Sequence, residues 1–212
     1  MADVLDEAKW GLDWLLKMHP NAGWMFNQVG DDRDRMGMRM PKEDTNYYGK
    51  GLERPVYFVS GEPQQRGKFM NNTTGASSTA GKFASAFALG SYIFSREFSS
   101  VKYDPEYNNY SKSLYFKSYS AFSFGYKKTG NTQTASVRSP YIYAEDNWVD
   151  DMELAAVSTY NCEHPHARDY WYINYADSLS RLEKITPWLG SDTAKHYQWY
   201  PFINIGHYEL AK

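Results

Sequence analysis

Apolar residues in the first segment recur every three or four positions. Leu5, Ala8, Leu12, Leu15 and Leu16 fall on one stripe, which predicts a helix over Ala2–Met18 that ends at His19-Pro20-Asn21. A second helix is predicted from about Thr79 to Ser95. There Ala80, Phe83, Ala84, Phe87 and Ala88 keep the same spacing, and the many alanines let another helix approach closely. Weaker periodicity predicts further helices at about Pro105–Tyr126, Trp148–Asn161 and His164–Lys184, and a last one from Trp199 to the end.

Between these segments the pattern changes. Residues 20–76 show little helical period and are rich in Gly, Asn, Asp and Pro, with one strand-like run at Pro55–Val59. So long a stretch without helices is either functional or disordered. Its Met, Tyr and Phe content argues against disorder. Lys127–Pro140 reads as a polar loop. Six helices with long loops and no alternation of strand and helix predict an all-α chain. No repeat, charge block or linker divides it, so residues 1–212 are read as one unit without an internal boundary. Both end helices carry apolar stripes with no obvious partner, as in a piece of a larger fold.

Charge and composition narrow the functions. A net charge of -2 and a pI near 6.2, with Lys and Arg dispersed, exclude an electrostatic case for nucleic acid or an anionic membrane. The apolar runs are too short to span a bilayer, and Met1–Asp6 lead into the first helix with no signal-peptide pattern. Cys162 is the only cysteine, which rules out a disulfide framework and reads as a small buried residue. The 19 Tyr, 11 Phe and 7 Trp add weight to a carbohydrate cleft, since aromatic faces stack on sugar rings, but such residues also fill ordinary cores.

Three charged groups invite chemistry. Arg33, Arg35 and Arg39 among Asp31, Asp32 and Asp34 read first as a solvated surface cluster, each pair worth roughly 0–1 kcal/mol. In the run Glu145–Asp151, the carboxylates of Asp146, Asp150 and Asp151 are hard oxygen donors suited to calcium. The plainer reading is that acids in a first turn complement the helix dipole, worth about 0.3–1 kcal/mol each, with Asp146 or Asn147 as the cap. His164 and His166 are two apart, on different faces of a helix, and read as surface or capping residues rather than zinc ligands.

Several segments resemble glycoside hydrolase family 9 at specific residues. The opening Asp6-Glu7-Ala8-Lys9-Trp10-Gly11-Leu12-Asp13-Trp14-Leu15-Leu16-Lys17-Met18-His19 is similar to a signature helix of that family, and Phe26-Asn27-Gln28-Val29-Gly30-Asp31-Asp32 follows at the expected distance. Ser78–Ala86 looks like the family's next Ala-rich helix, and Asn147–Ala156 like its later acidic helix start. The resemblance implies part of an (α/α) barrel of six helical hairpins, about half of it, with a substrate cleft formed by loops at one end. It implies an endo-β-1,4-glucanase, a cellulase, acting with inversion on a β-1,4-glucan such as cellulose or cello-oligosaccharides. The other partner implied is the remainder of the parent catalytic domain, and the parent is expected to be secreted.

Inversion needs two carboxyl groups about 6.5–9.5 Å apart, one as acid and one to activate water. The family's base lies in Asp-Ala-Gly-Asp, which is absent here, and its acid lies far downstream of the segments matched. No catalytic residue is therefore assigned, and the chain alone is expected to be inactive. What the resemblance leaves is a cleft wall. Asp34-Arg35 stands where the family has Asp-His, a departure that puts the histidine's sugar contact in doubt although arginine can still donate to hydroxyls. Tyr141 and Tyr143 alternate onto one face of an extended segment where the family carries an aromatic pair. Trp188 and Trp199 are stacking candidates, core burial being the commoner fate of a Trp. Asp150 and Asp151 match an acidic pair that holds a structural calcium in many members, with no cofactor required for the chemistry itself. The alternative is a non-catalytic, carbohydrate-binding or structural remnant of the same fold. A weaker alternative is a small complete enzyme using Asp31–Asp34 and Glu153. Apolar helix faces left uncovered predict self-association of the isolated chain.

Overall fold

In the computed structural model of the protein, the residues described are 2–33, 54–97, 105–138, 145–163, 168–183 and 204–212. Six helices account for most of them: α1 (Ala2–Met18), α2 (Ser77–Glu97), α3 (Pro105–Lys127), α4 (Val149–Cys162), α5 (Tyr170–Ser180) and α6 (Ile205–Ala211). Four short strands form two separate antiparallel pairs, β1 (Phe26–Val29) with β2 (Val56–Phe58) and β3 (Gln65–Arg66) with β4 (Phe69–Met70). The first four helices lie where the periodicity predicted them, to within two residues. The strand-like run at Pro55–Val59 is β2, and its partner β1 was not legible as a strand. The predicted start of the fifth helix at His164 falls outside the described residues, as do His166, Lys184 and the predicted start of the last helix at Trp199.

Helix ends follow local chemistry. His19 is fully buried at the end of α1, with Nδ1 2.8 Å from the Trp24 carbonyl and Nε2 2.8 Å from Ser120 Oγ. Burial holds its pKa below the ordinary value, and its own carbonyl accepts from Lys117. A residue that looked like a helix stop is thus also a tie from α1 to α3. Pro105 opens α3, where a missing N–H costs nothing, and Lys127 sits in its last turn against the negative end of the dipole. Asp169 caps α5 by accepting from Trp171 N at 2.9 Å. That cap is why the helix begins at Tyr170, later than the apolar period suggested. The Cys162 thiol donates to Thr159 O, and burial pushes its pKa up to about 12, so it is inert as a nucleophile at neutral pH.

α2 and α4 are the centre of the molecule. α2 packs on α3 and α4, and α4 on α5 and α6. Ala80, Ala84, Phe87 and Ala88 of α2 and Met152, Ala155, Ala156 and Val157 of α4 are buried. Small residues set the spacing: a Cβ at Gly81 would lie 2.7 Å from the Asp151 carbonyl, and one at Gly125 would lie 2.8 Å from Ala80 Cβ. α1 is covered less completely than its stripe predicts. Leu12 is buried and Leu5, Leu15 and Leu16 half-buried, but Ala8 is exposed. On its outer face Trp10 is 71% and Trp14 46% exposed.

Candidate functional site

The C-terminal ends of α1 and α3 and the N-terminal ends of α2 and α4 lie toward one end of the helices, with the described parts of the loops after α1 and α3 beside them. Side-chain amides do the work that a sheet would do elsewhere. Gln28 accepts from Ala135 N at 2.8 Å and donates to Ala135 O at 3.1 Å, so one amide pairs with both backbone groups of one residue. Asn27 and Asn71 each donate to Gln133 O, and Gln133 reaches on to the Glu145 carbonyl. Gly75 and Gly130 cross at backbone contact, where a Cβ on Gly75 would sit 2.2 Å from Thr129 O. Gly130 has φ +136, which only glycine adopts without strain.

Asp31 and Asp32 are not the solvated pair that their charged surroundings suggested. They are 5% and 9% exposed. Asp32 accepts from Val137 N at 2.8 Å, Arg138 N at 2.7 Å and Ser136 Oγ at 3.2 Å, which fastens the loop after β1 to the loop after α3. Asp31 takes a forked pair from Arg33 (2.7 and 2.5 Å) and the Tyr57 hydroxyl at 2.7 Å. Burial alone would raise its pKa, but the hydrogen bonds from Arg33 and Tyr57 outweigh it and hold it at about 2. Burial, and then the same contact, raise the Tyr57 hydroxyl above its ordinary value. A carboxylate so well satisfied is a poor general base, since catalysis wants a pKa near the working pH.

Asp31 therefore contributes stability in a definite window. Its folded pKa lies below the ordinary 3.8, so the contribution is present above about pH 4 and is lost as pH falls toward 2. Tyr57→Phe is expected to lower stability by about 1 kcal/mol at neutral pH. That deficit should shrink across the same acid window in urea melts, because the hydrogen bond removed is one that favours the ionised carboxylate.

A cavity of about 340 Å³ opens beside these loops. Trp14, Leu15, Met18 and Phe83 form its apolar part, and Asn27, Thr79, Lys82 and Glu145 its polar part. An aromatic wall with amides and hydroxyls around it suits an uncharged, hydroxyl-rich ring.

Of the predicted site residues, Asp34, Arg35, Tyr141, Tyr143, Trp188 and Trp199 lie outside the described residues. Asp146, Asp150 and Asp151 are described. Asp146 is exposed, whereas Asp150 and Asp151 are buried in the first turn of α4. Neither Asp146 nor Asn147 occupies the cap position, which is Trp148, although Asn147 Oδ1 accepts from Val149 N at 3.0 Å. Burial pushes the Asp150 pKa up to about 6, with Lys82 opposing and Glu183 adding to the rise. Asp151 is likewise raised, chiefly by burial, despite Lys82 Nζ at 2.6 Å from its Oδ2.

Calcium takes six to eight oxygens. Asp150 Oδ1 is buried without a hydrogen-bond partner among the described residues. Asp151 Oδ2 and Glu145 Oε1 are both held by Lys82. No group of three or more Asp, Glu, His or Cys among the described residues is placed to share an ion. The residues present suit an ammonium better than calcium. Lys82 was missed in the sequence, where its signal was a single charge inside an Ala-rich helix.

Glu153, one turn into α4, is fully buried with Oε1 2.9 Å from His207 Nδ1 of α6. Burial lifts its pKa to about 7. Such a pKa suits acid catalysis, but a carboxyl with no exposed surface cannot meet a polysaccharide. Its role is to hold α6, whose Gly206 leaves no more than 3.0 Å between a Cβ there and Glu153 Cδ.

The arrangement is that of an α/α-barrel protein with its loops collected and tied at one end. The profile of glycosyl hydrolase family 9 matches residues 1–204, and the chain belongs to that family. Endoglucanase 19 of Arabidopsis thaliana is 27% identical over 177 residues, covering 82% of this chain and 24% of that protein. Endoglucanase 5 of the same plant is 25% identical over 200 residues, covering 94% of this chain and 26% of that protein. Among solved structures, the endoglucanase of the termite Nasutitermes takasagoensis at pH 2.5 matches with a TM-score of 0.61 at 20% identity, over 99% of this chain and 41% of that one. The chain thus spans about a quarter of the curated relatives it matches, and its six described helices form an all-α part of the (α/α) six-hairpin barrel.

Proposed function

We propose that this chain forms one wall of the active-site cleft of a secreted endo-β-1,4-glucanase that cleaves its bond with inversion. The tied loop end carries the reading. Gln28, Asp32, Asn71 and Gln133 hold backbone segments in fixed relation beside an amphipathic cavity, as a site that orients a sugar chain requires. Asp34, Arg35, Tyr141, Tyr143, Trp188 and Trp199 are its sugar-contacting residues. The acid and base come from polypeptide outside these 212 residues. Asp31, saturated and held at low pKa, and Glu153, fully buried, support reading both as structural carboxylates.

On a soluble β-1,4-glucan, the parent protein is expected to release reducing ends with the α-anomer formed first, followed by proton NMR. Residues 1–212 alone are expected to release none, and cleavage by them at enzymatic rates would sink the proposal. In the parent, Tyr141→Ala and Tyr143→Ala are expected to raise KM more than they lower kcat, about tenfold for the loss of roughly 1.4 kcal/mol of stacking.

A further inference from the structure

The acidic start of α4 meets a positive charge that belongs to the chain itself. Lys82 rises from the second turn of α2, and its Nζ contacts three acceptors: Asp151 Oδ2 at 2.6 Å, Ser78 O at 3.4 Å and Glu145 Oε1. An ammonium has three donors, and all three are used. The reach is set by the backbone. At Gly81 the two helices are at backbone contact, with room for no Cβ against the Asp151 carbonyl, so the next residue delivers its side chain directly to the Asp151 carboxylate. Glu145, in the segment that leads into α4, closes the third side. One side chain therefore joins α2, α4 and the loop between α3 and α4.

We propose that Lys82 is a built-in counter-cation, doing for the start of α4 what a divalent ion does when an acidic pair is used as a metal site. A metal sharing Asp151 and Glu145 would lie within a few ångströms of the ammonium and be repelled by it, while gaining oxygens already in use. The arrangement makes the anchoring of α4, and of the loop end it supports, independent of calcium.

Thermal unfolding of the protein in millimolar calcium and in chelator, at matched ionic strength, tests this. The wild-type Tm is expected to be the same in both. Lys82→Met, which keeps the stem and removes the charge, is expected to lower Tm by about 5 °C. A saturable rise of the wild-type Tm with calcium that Asp151→Asn removes overturns the proposal. So does a Lys82→Met protein that melts at the wild-type temperature. The calcium comparison on unaltered protein stands by itself if the methionine variant fails to fold.

Discussion

Asp32→Ala is expected to lower the unfolding free energy by about 3 kcal/mol, measured as a lower urea midpoint with an unchanged slope. Two backbone donors, Val137 N and Arg138 N, and the Ser136 hydroxyl would lose a buried charged acceptor together. The cost is that of several donors losing one charged acceptor together and not of one exchanged hydrogen bond. Asp32→Asn keeps one acceptor oxygen and should cost about half as much. In the parent protein the same alanine variant is expected to raise KM for glucan, because it unties the loop end. A stability within about 0.5 kcal/mol of wild type would mean that Asp32 does not tie the two loops.

Glycine replacements are expected to have opposite signs at two helical positions. Gly81→Ala places a Cβ 2.7 Å from the Asp151 carbonyl carbon and oxygen, where backbone on both sides must move. It is expected to cost about 3 kcal/mol and to weaken the Lys82–Asp151 contact one residue on. Gly11→Ala places its Cβ in the middle of α1, where no described atom outside its own stretch of helix lies within 4 Å. Relief of glycine's helix penalty is then the only term, and stabilisation by about 1 kcal/mol is expected. Paired urea melts would compare the two. Equal and small effects would mean that α2 and α4 are not held at backbone contact.

The helices were the legible part of this chain. Leu12 falls on the periodic stripe of α1 and Ala84 and Phe87 on that of α2, and each is buried as that period requires. Acids in the first turn of α4 were read correctly as helix-start residues, and the family motifs placed them in an (α/α) barrel. The loop end was not legible in the same way. Gln28 and Asn71 look like any polar loop residues, and the loop around residue 134 that they fasten lies more than 60 positions away. Asp31 and Asp32 were misread for the same reason. Among three arginines they look solvated, and among the described residues the 132–138 loop and Tyr57 come to cover them.

The chain's own pattern determined which segments are helical, which faces are apolar and which family the molecule belongs to, because these rest on contacts three or four residues apart or on short motifs. Tertiary structure alone decided the long-range charge partners. Lys82 on Asp151, Lys128 on Glu62 and Glu153 on His207 are chosen by where whole helices and loops come to rest. A carboxylate's pKa and use follow from burial and neighbours, and a one-dimensional pattern carries neither.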